Sequence, residues 1–268
     1  MKTDSPWSHR FAIFVALVAL IAIVAGAIVT SLTRPIAATP AASINQAFEF
    51  WHSIIGSAAL AFMLGLAIGV RSQLGWIGFS AGVLDAALPQ LSPILHAVLA
   101  QIFFGAVVGV ALTTSSSWKR GPDPIEDSWR PSLRSLAIAV PAIVLLQTTL
   151  GASYRYRALG VIWHILNAMI VLILILIVAV FLIRQFPQHP TLRPAAVALA
   201  IITSIQVLLG FTTFLMLILF PETSLAVVIS SVLHVSTGAL KFGASVALAL
   251  QIRFNAGPPV THRSVTTT

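Results

Sequence analysis

Long stretches without charge constrain this chain most. From Phe11 to Thr33, and again from Phe50 to Val70, there is no Asp, Glu, Lys or Arg. A window of about 20 apolar residues is what a helix needs to cross a bilayer, where every backbone N–H and C=O must be satisfied internally. Further apolar windows follow at Ser72–Trp118, Ser135–Tyr154, Ala158–Ile183, Pro194–Pro221 and Thr223–Ile252, interrupted only by Asp85 and Lys241. Ser72–Trp118 is too long for one span, and Pro89 and Pro93 divide it. The sequence therefore predicts eight transmembrane helices in an all-α integral membrane protein. With 8% charged and 58% hydrophobic residues the chain has too few charges for a soluble domain of this size. The first window is about twice as long as the ~7–15-residue core of a signal peptide, so it reads as a retained helix.

An even number of spans puts both termini on one side. Eleven lysines and arginines fall on the N-terminal side, among them Arg10, Arg71, Lys119, Arg130 and Arg184. Only Arg34, Arg155 and Arg157 fall on the other. Basic loops stay in the cytoplasm, so both termini are expected there. The net charge of +8 is then a matter of topology; no soluble basic surface remains for a nucleic acid. The chain has no cysteine, which excludes disulfides, thiolate-ligated heme, iron–sulfur clusters and zinc–cysteine sites.

The longest polar stretch, Ser115–Arg134, lies mid-chain and holds Gly121, Pro122, Pro124 and Pro131. It reads as a cytoplasmic linker, residues 119–134, between an N-terminal four-helix bundle, residues 1–118, and a C-terminal one, residues 135–268. Four helices is an even number, so two such halves would share one orientation, as pseudo-symmetric repeats about an axis along the membrane normal. Gln147-Thr-Thr-Leu-Gly151 and Gln206-Val-Leu-Leu-Gly210 share a Gln-x-x-Leu-Gly pattern, and Gly26-Ala27 resembles Gly151-Ala152.

Four histidines, His52, His96, His164 and His234, fall on the second, fourth, sixth and eighth expected helices, each toward the same side of the membrane. An unpaired polar group in hydrocarbon costs roughly 2–7 kcal/mol. A lone histidine could bond a neighbouring backbone, but four at one depth suggest two pairs. Two intramembrane imidazoles are suited to hold a heme iron between them. His9, His189 and His262 fall in the cytoplasmic segments and read as solvated.

Glu49-Phe-Trp-His52 puts a carboxylate and an imidazole on one helix face at i, i+3. The pair can share a proton or flank a ligand; equally, Glu49 can be an acid favoured near a helix N-terminus. The C-terminal half has Val161 three residues before His164. That asymmetry suits the C-terminal half to a cofactor and the N-terminal half to a substrate. Arg155 and Arg157 depart from the positive-inside pattern and stand where heme propionates would meet guanidinium groups, or they snorkel to the interface. Asp85 and Lys241 each cost about 2.5–3.5 kcal/mol near a helix centre unless satisfied; a proton path and a structural ion pair both remain open for them.

With these motifs in place, the chain resembles the heme A synthase family. The resemblance rests on Ile44-Asn-Gln-Ala-Phe-Glu-Phe-Trp-His52, Leu95-His-Ala-Val-Leu-Ala-Gln-Ile-Phe-Phe104, Leu146-Gln-Thr-Thr-Leu-Gly-Ala-Ser-Tyr-Arg155, His164-Ile-Leu-Asn-Ala168 and Leu233-His-Val-Ser-Thr-Gly-Ala-Leu240. It implies a bacterial inner-membrane enzyme that oxidises the C8 methyl of heme O to a formyl group, giving heme A for cytochrome oxidase. It implies heme b ligated by His164 and His234, a substrate heme iron near His52 and His96, Glu49 in catalysis, and propionates anchored by Arg155 and Arg157. Heme O synthase and cytochrome oxidase assembly factors are the implied partners, with lipid around the chain; the oligomeric state is open.

The departures from the family pattern all lie in the N-terminal half. Ser53 stands where many relatives have arginine after Glu-x-x-His, Arg34 is the only match for a family arginine at the end of helix one, and Asp85 and Pro89 replace an expected Gln and Gly. Two rival functions follow: a non-catalytic di-heme electron-transfer protein of the same fold, and a transporter or heme-handling assembly factor.

Overall fold

The computed structural model describes residues 6–32, 41–87 and 92–257. Its helices are α1 (Pro6–Leu32), α2 (Ala41–Val70), α3 (Gln73–Ala87), α4 (Pro93–Thr113), α5 (Ser116–Lys119), α6 (Leu133–Arg155), α7 (Val161–Gln185), α8 (Leu192–Leu219) and α9 (Leu225–Asn255). Seven of them, all but α3 and α5, are long and apolar enough to cross a membrane. The chain is an all-α, multi-pass membrane protein.

The third expected span is shorter in the described residues than the sequence suggested. Helix α3 has 15 residues, about 22 Å at 1.5 Å per residue, against a hydrocarbon layer about 30 Å thick. It ends at Ala87, two residues before Pro89, which lies outside the described residues. Pro93, expected only to break the window, instead starts α4. It sits at the first helical position behind the N-cap Ser92, whose Oγ accepts the Leu95 N–H at 3.2 Å.

The packing order repeats. Each of α1 to α3 packs on the next, and α4 closes back on α1; each of α6 to α8 packs on the next, and α9 closes back on α6. The two sets meet through α4 and α9, with α1 also against α9 and α6 against α4. Each set has its own buried core. One gathers Val15, Met63, Leu66, Val107 and Val110, the other Leu133, Ile175, Leu182, Leu199 and Leu248. The outward faces carry Leu17, Ile21, Ile170, Ile177, Leu208, Phe211 and Ile218, a broad apolar surface that suits lipid and not water.

Small residues bring α4 and α9 together. A methyl group on Gly105 would come within 2.6 Å of Phe242 Cε1, and one on Gly243 within 2.8 Å of Phe104 Cε1. Each helix thus inserts a phenyl ring over the other's glycine, the close approach that small residues allow in membrane bundles.

The mid-chain connection is more ordered than a linker reading implies. Ile125–Glu126 pairs in parallel with Ala256–Gly257 just past α9. Trp118 stacks on Phe254 with ring centres 3.9 Å apart, and Asn255 Oδ1 accepts the Asp123 N–H at 2.8 Å. Asp127 takes the Leu133 and Arg134 N–H groups at 2.8 and 3.0 Å, while Ser132 Oγ takes that of Ser135 at 3.1 Å. The first-turn donors of α6, which no helical carbonyl can reach, are thereby satisfied. His9 and His189 are not simply solvated: His9 Nδ1–H donates to the Ala111 carbonyl at 2.8 Å, and His189 Nδ1 accepts the Leu192 N–H at 3.2 Å at the start of α8. His262 lies outside the described residues, as do Arg34 and Arg263.

Candidate functional site

The connection joins the end of α4 to the start of α6, whereas His96 sits at the start of α4. The histidines therefore occupy the end of the bundle away from the connection. There they form two pairs. The His52 and His96 ring centres are 5.9 Å apart with planes at 82°; those of His164 and His234 are 6.2 Å apart at 76°. Each pair joins the second helix of a set to the fourth.

Every ring is held by the helix that precedes its own. His52 lies beside Ala22 and Gly26 of α1: its Nδ1–H donates to the Ala22 carbonyl at 2.9 Å, and a methyl on Gly26 would meet its Cε1 at 2.9 Å. His164 lies beside Gln147 and Gly151 of α6. Gln147 Nε2 is 3.0 Å from its Nδ1, and a methyl on Gly151 would meet its Cε1 at 2.8 Å. His234 lies beside Gln206 and Gly210 of α8, with Gln206 Nε2 3.4 Å from its Nε2 and a Gly210 methyl 3.0 Å from its Cε1. In all three a glycine leaves room for the ring, and the residue four positions earlier, one helical turn, bonds it. The fourth follows suit in part: Asp85 of α3 stands at ion-pair distance from His96, and four residues on in the sequence is Pro89.

Asp85 Oδ1 and His96 Nδ1 lie 2.8 Å apart, an ion-pair distance in an alignment short of formal hydrogen-bond geometry. A carbonyl can only accept, so the proton of His52 is on Nδ1 and its lone pair on Nε2. A carboxylate at His96 Nδ1 favours the same tautomer. Histidines that bind metals are commonly oriented in this way by a carbonyl or carboxylate behind them. The C-terminal pair is held differently. Asn167 Nδ2 donates to Gln147 Oε1 at 2.7 Å, and Gln147 Nε2 donates to the His164 carbonyl at 3.0 Å while reaching both ring nitrogens, at 3.0 and 3.2 Å. Among the described residues His234 Nδ1 and Gln206 Oε1 are buried with no hydrogen-bond partner.

The charged residues named from sequence divide. Glu49 is exposed, and its Oε1 accepts Asn45 Nδ2 at 2.7 Å within α2. It shares a helix face with His52 and forms no described contact with His96. Arg155 reaches from the end of α6 to the end of α1, where its guanidinium donates to Ser31 Oγ at 2.7 Å. A cation there also complements the carbonyl end of the α1 dipole. Arg157 is exposed at the same end, with φ of 59°. Lys241 is buried on α9, 5% exposed, and its charge acts on both His164 and His234. Asp85 acquires a partner that the sequence did not assign; its place in the register of Gln147 and Gln206 was the available signal.

Among the described residues no group of three or more His, Cys, Asp or Glu side chains gathers as a metal cluster. A porphyrin changes that requirement, because it brings four ligands of its own and asks the protein only for axial ones. An imidazole nitrogen sits about 2 Å from a metal it ligates, so two rings sharing one ion place their centres on the order of 6 Å apart. Both pairs match that spacing, and His234 adds a buried Nδ1 with no partner among the described residues. The residues fit a heme held by two histidines. No protein-family model matches the chain, and no curated protein matches it.

Proposed function

We propose that this chain is a heme protein of the membrane that takes an iron porphyrin at each histidine pair and acts as heme A synthase does, oxidising the C8 methyl of heme O to a formyl group. The observation that carries the reading is the pair of matched His–His spacings, 5.9 and 6.2 Å, each built from a second and a fourth helix. In this reading α3 crosses the bilayer of a bacterial inner membrane together with the seven longer helices, the two four-helix sets are repeats, and both termini are cytoplasmic.

His164 and His234 hold the resident heme b, which supplies a one-electron iron couple when bound. His52 and His96 take the substrate heme through the Nε2 lone pairs that Ala22 and Asp85 leave available. Gln147 fixes the ring plane of His164. Glu49 holds or moves a proton at its carboxylate on the His52 face of α2. Arg155 and Arg157 supply guanidinium groups at the end where propionates would sit. An apolar substrate with a farnesyl tail partitions into lipid, which suits a site between membrane helices.

The test is to express the chain in cells that make heme O and lack heme A synthase, then separate the extracted hemes. Heme A should appear with the wild-type chain and vanish with Glu49→Ala. His164→Ala or His234→Ala should lose most bound heme b; a full six-coordinate spectrum in both would sink the ligand assignment. One observation favours a second reading, a di-heme electron-transfer protein. Glu49 is exposed and occupied by Asn45 in its own helix. On that reading heme O stays unchanged, both pairs give low-spin spectra, and Glu49→Gln is silent.

A further inference from the structure

We infer that Asp85 is a positioning residue that makes the two histidine pairs electrically unequal, so that iron held by His52 and His96 has the lower reduction potential. The inference rests on the heme reading above and adds to it what the charges of Asp85, Lys241 and Arg155 do.

Asp85 and Gln206 hold corresponding places. Each lies on the third helix of its set, and each approaches the histidine of the fourth helix, Asp85 at 2.8 Å from His96 and Gln206 at 3.4 Å from His234. The chemistry differs. A carboxylate 2.8 Å from Nδ1 favours by its charge a proton on that nitrogen, which makes the opposite nitrogen a stronger electron donor. Stronger donation and a nearby negative charge both favour the ferric state. Gln206 brings a neutral amide, and the atom it aims at His234 is a nitrogen that can only donate.

The longer-range charges point the same way. The charge of Asp85 acts on both His52 and His96. The C-terminal pair instead feels cations, with Lys241 acting on both rings and Arg155 on His234. A cation beside an iron favours the ferrous state. Lys241 is buried, so its charge counts for more than it would in water. With hemes bound, the lower potential at His52 and His96 would make electron transfer toward the His164–His234 pair the downhill direction.

The test uses the full-length protein, purified and loaded with hemin so that both pairs carry the same porphyrin, and titrated electrochemically under optical observation. His52→Ala and His164→Ala identify the two components. Asp85→Gln should shift the N-terminal component upward and leave the other unmoved. Gln206→Glu should shift the C-terminal component downward, and this variant decides the matter even if Asp85→Gln does not fold. Asp85→Glu should keep the low potential. Electron paramagnetic resonance of the ferric protein gives a second readout, with g-values of one component alone changing in Asp85→Gln. Two bound hemes whose potentials ignore both Asp85→Gln and Gln206→Glu, or a downward shift in Asp85→Gln, would overturn the inference. A wild-type chain that takes up no hemin overturns the heme reading beneath it, which is a different result.

Discussion

Phe242 of α9 lies directly over Gly105 of α4, close enough that a methyl group on the glycine would come within 2.6 Å of the ring. The contact is reciprocated by Phe104 over Gly243, so the two helices that join the four-helix sets lock through one exchanged pair of rings. Gly105→Ala must push a phenyl ring out of a well-packed interface, at about 1–3 kcal/mol. Thermal unfolding in detergent should show that loss, and Gly105→Val should show a larger one. If Gly105→Ala melts with the wild type, the interface is not packed as described.

A second prediction concerns the chain Asn167–Gln147–His164. Gln147→Leu keeps the bulk and removes both the acceptor of Asn167 and the amide that reaches His164. Asn167 retains only a long contact, 3.4 Å to the Ile143 carbonyl. Leaving a buried amide underserved costs about 1–3 kcal/mol, although polar contacts between membrane helices average nearer 0.6 kcal/mol. The more telling readout is spectral. In protein loaded with hemin, if the proposed ligation holds, a less constrained His164 should broaden or weaken the low-spin spectrum while the helix content by circular dichroism stays unchanged.

The helices were legible because hydrocarbon tolerates so little: once the windows around Asp85 and Lys241 are recognised, few other structures satisfy the backbone. The histidine pairs were legible too, since one depth and alternate helices leave few partners. The second layer was not. Ala22 bonds His52 through its backbone carbonyl, and no side-chain pattern can announce that. The role of Asp85 was half visible, in register with Gln147 and Gln206 but with a side chain whose preference for His96 only packing reveals. The Phe-Gly exchange had a signal that went unread: Phe104-Gly105 follows His96 at the same offset as Phe242-Gly243 follows His234. The order of the mid-chain connection could not be read, because its contacts, Asn255 and Phe254 above all, lie more than a hundred residues away in the chain.

Asp127 gives a third prediction, and it separates stability from the histidine site. Its carboxylate accepts two of the first-turn N–H groups of α6. Asp127→Ala strands both at a helix start, a loss of about 1–2 kcal/mol. It lies at the connection end, away from the histidines. The melting temperature in detergent should fall while hemin-loaded protein, on the proposed heme reading, keeps the spectrum and redox titration of the wild type. A changed spectrum would mean that the connection is coupled to the histidine end.

The last prediction fixes which way the chain sits. With no native cysteine, single cysteines can be labelled without background. Arg71, Lys119, Arg120, Arg130, Arg134, Arg184 and Arg253 cluster at the connection end of the described bundle, against Arg155 and Arg157 at the histidine end. Positive residues resist export, so the connection should face the cytoplasm and the histidine end the opposite compartment. Ser117→Cys in the connection should then react with a membrane-impermeant maleimide only after the cells are opened. Ala158→Cys, between α6 and α7 and exposed, should react in intact cells. The reverse pattern would place both histidine pairs toward the cytoplasm and make the charge bias of this chain an exception to the rule.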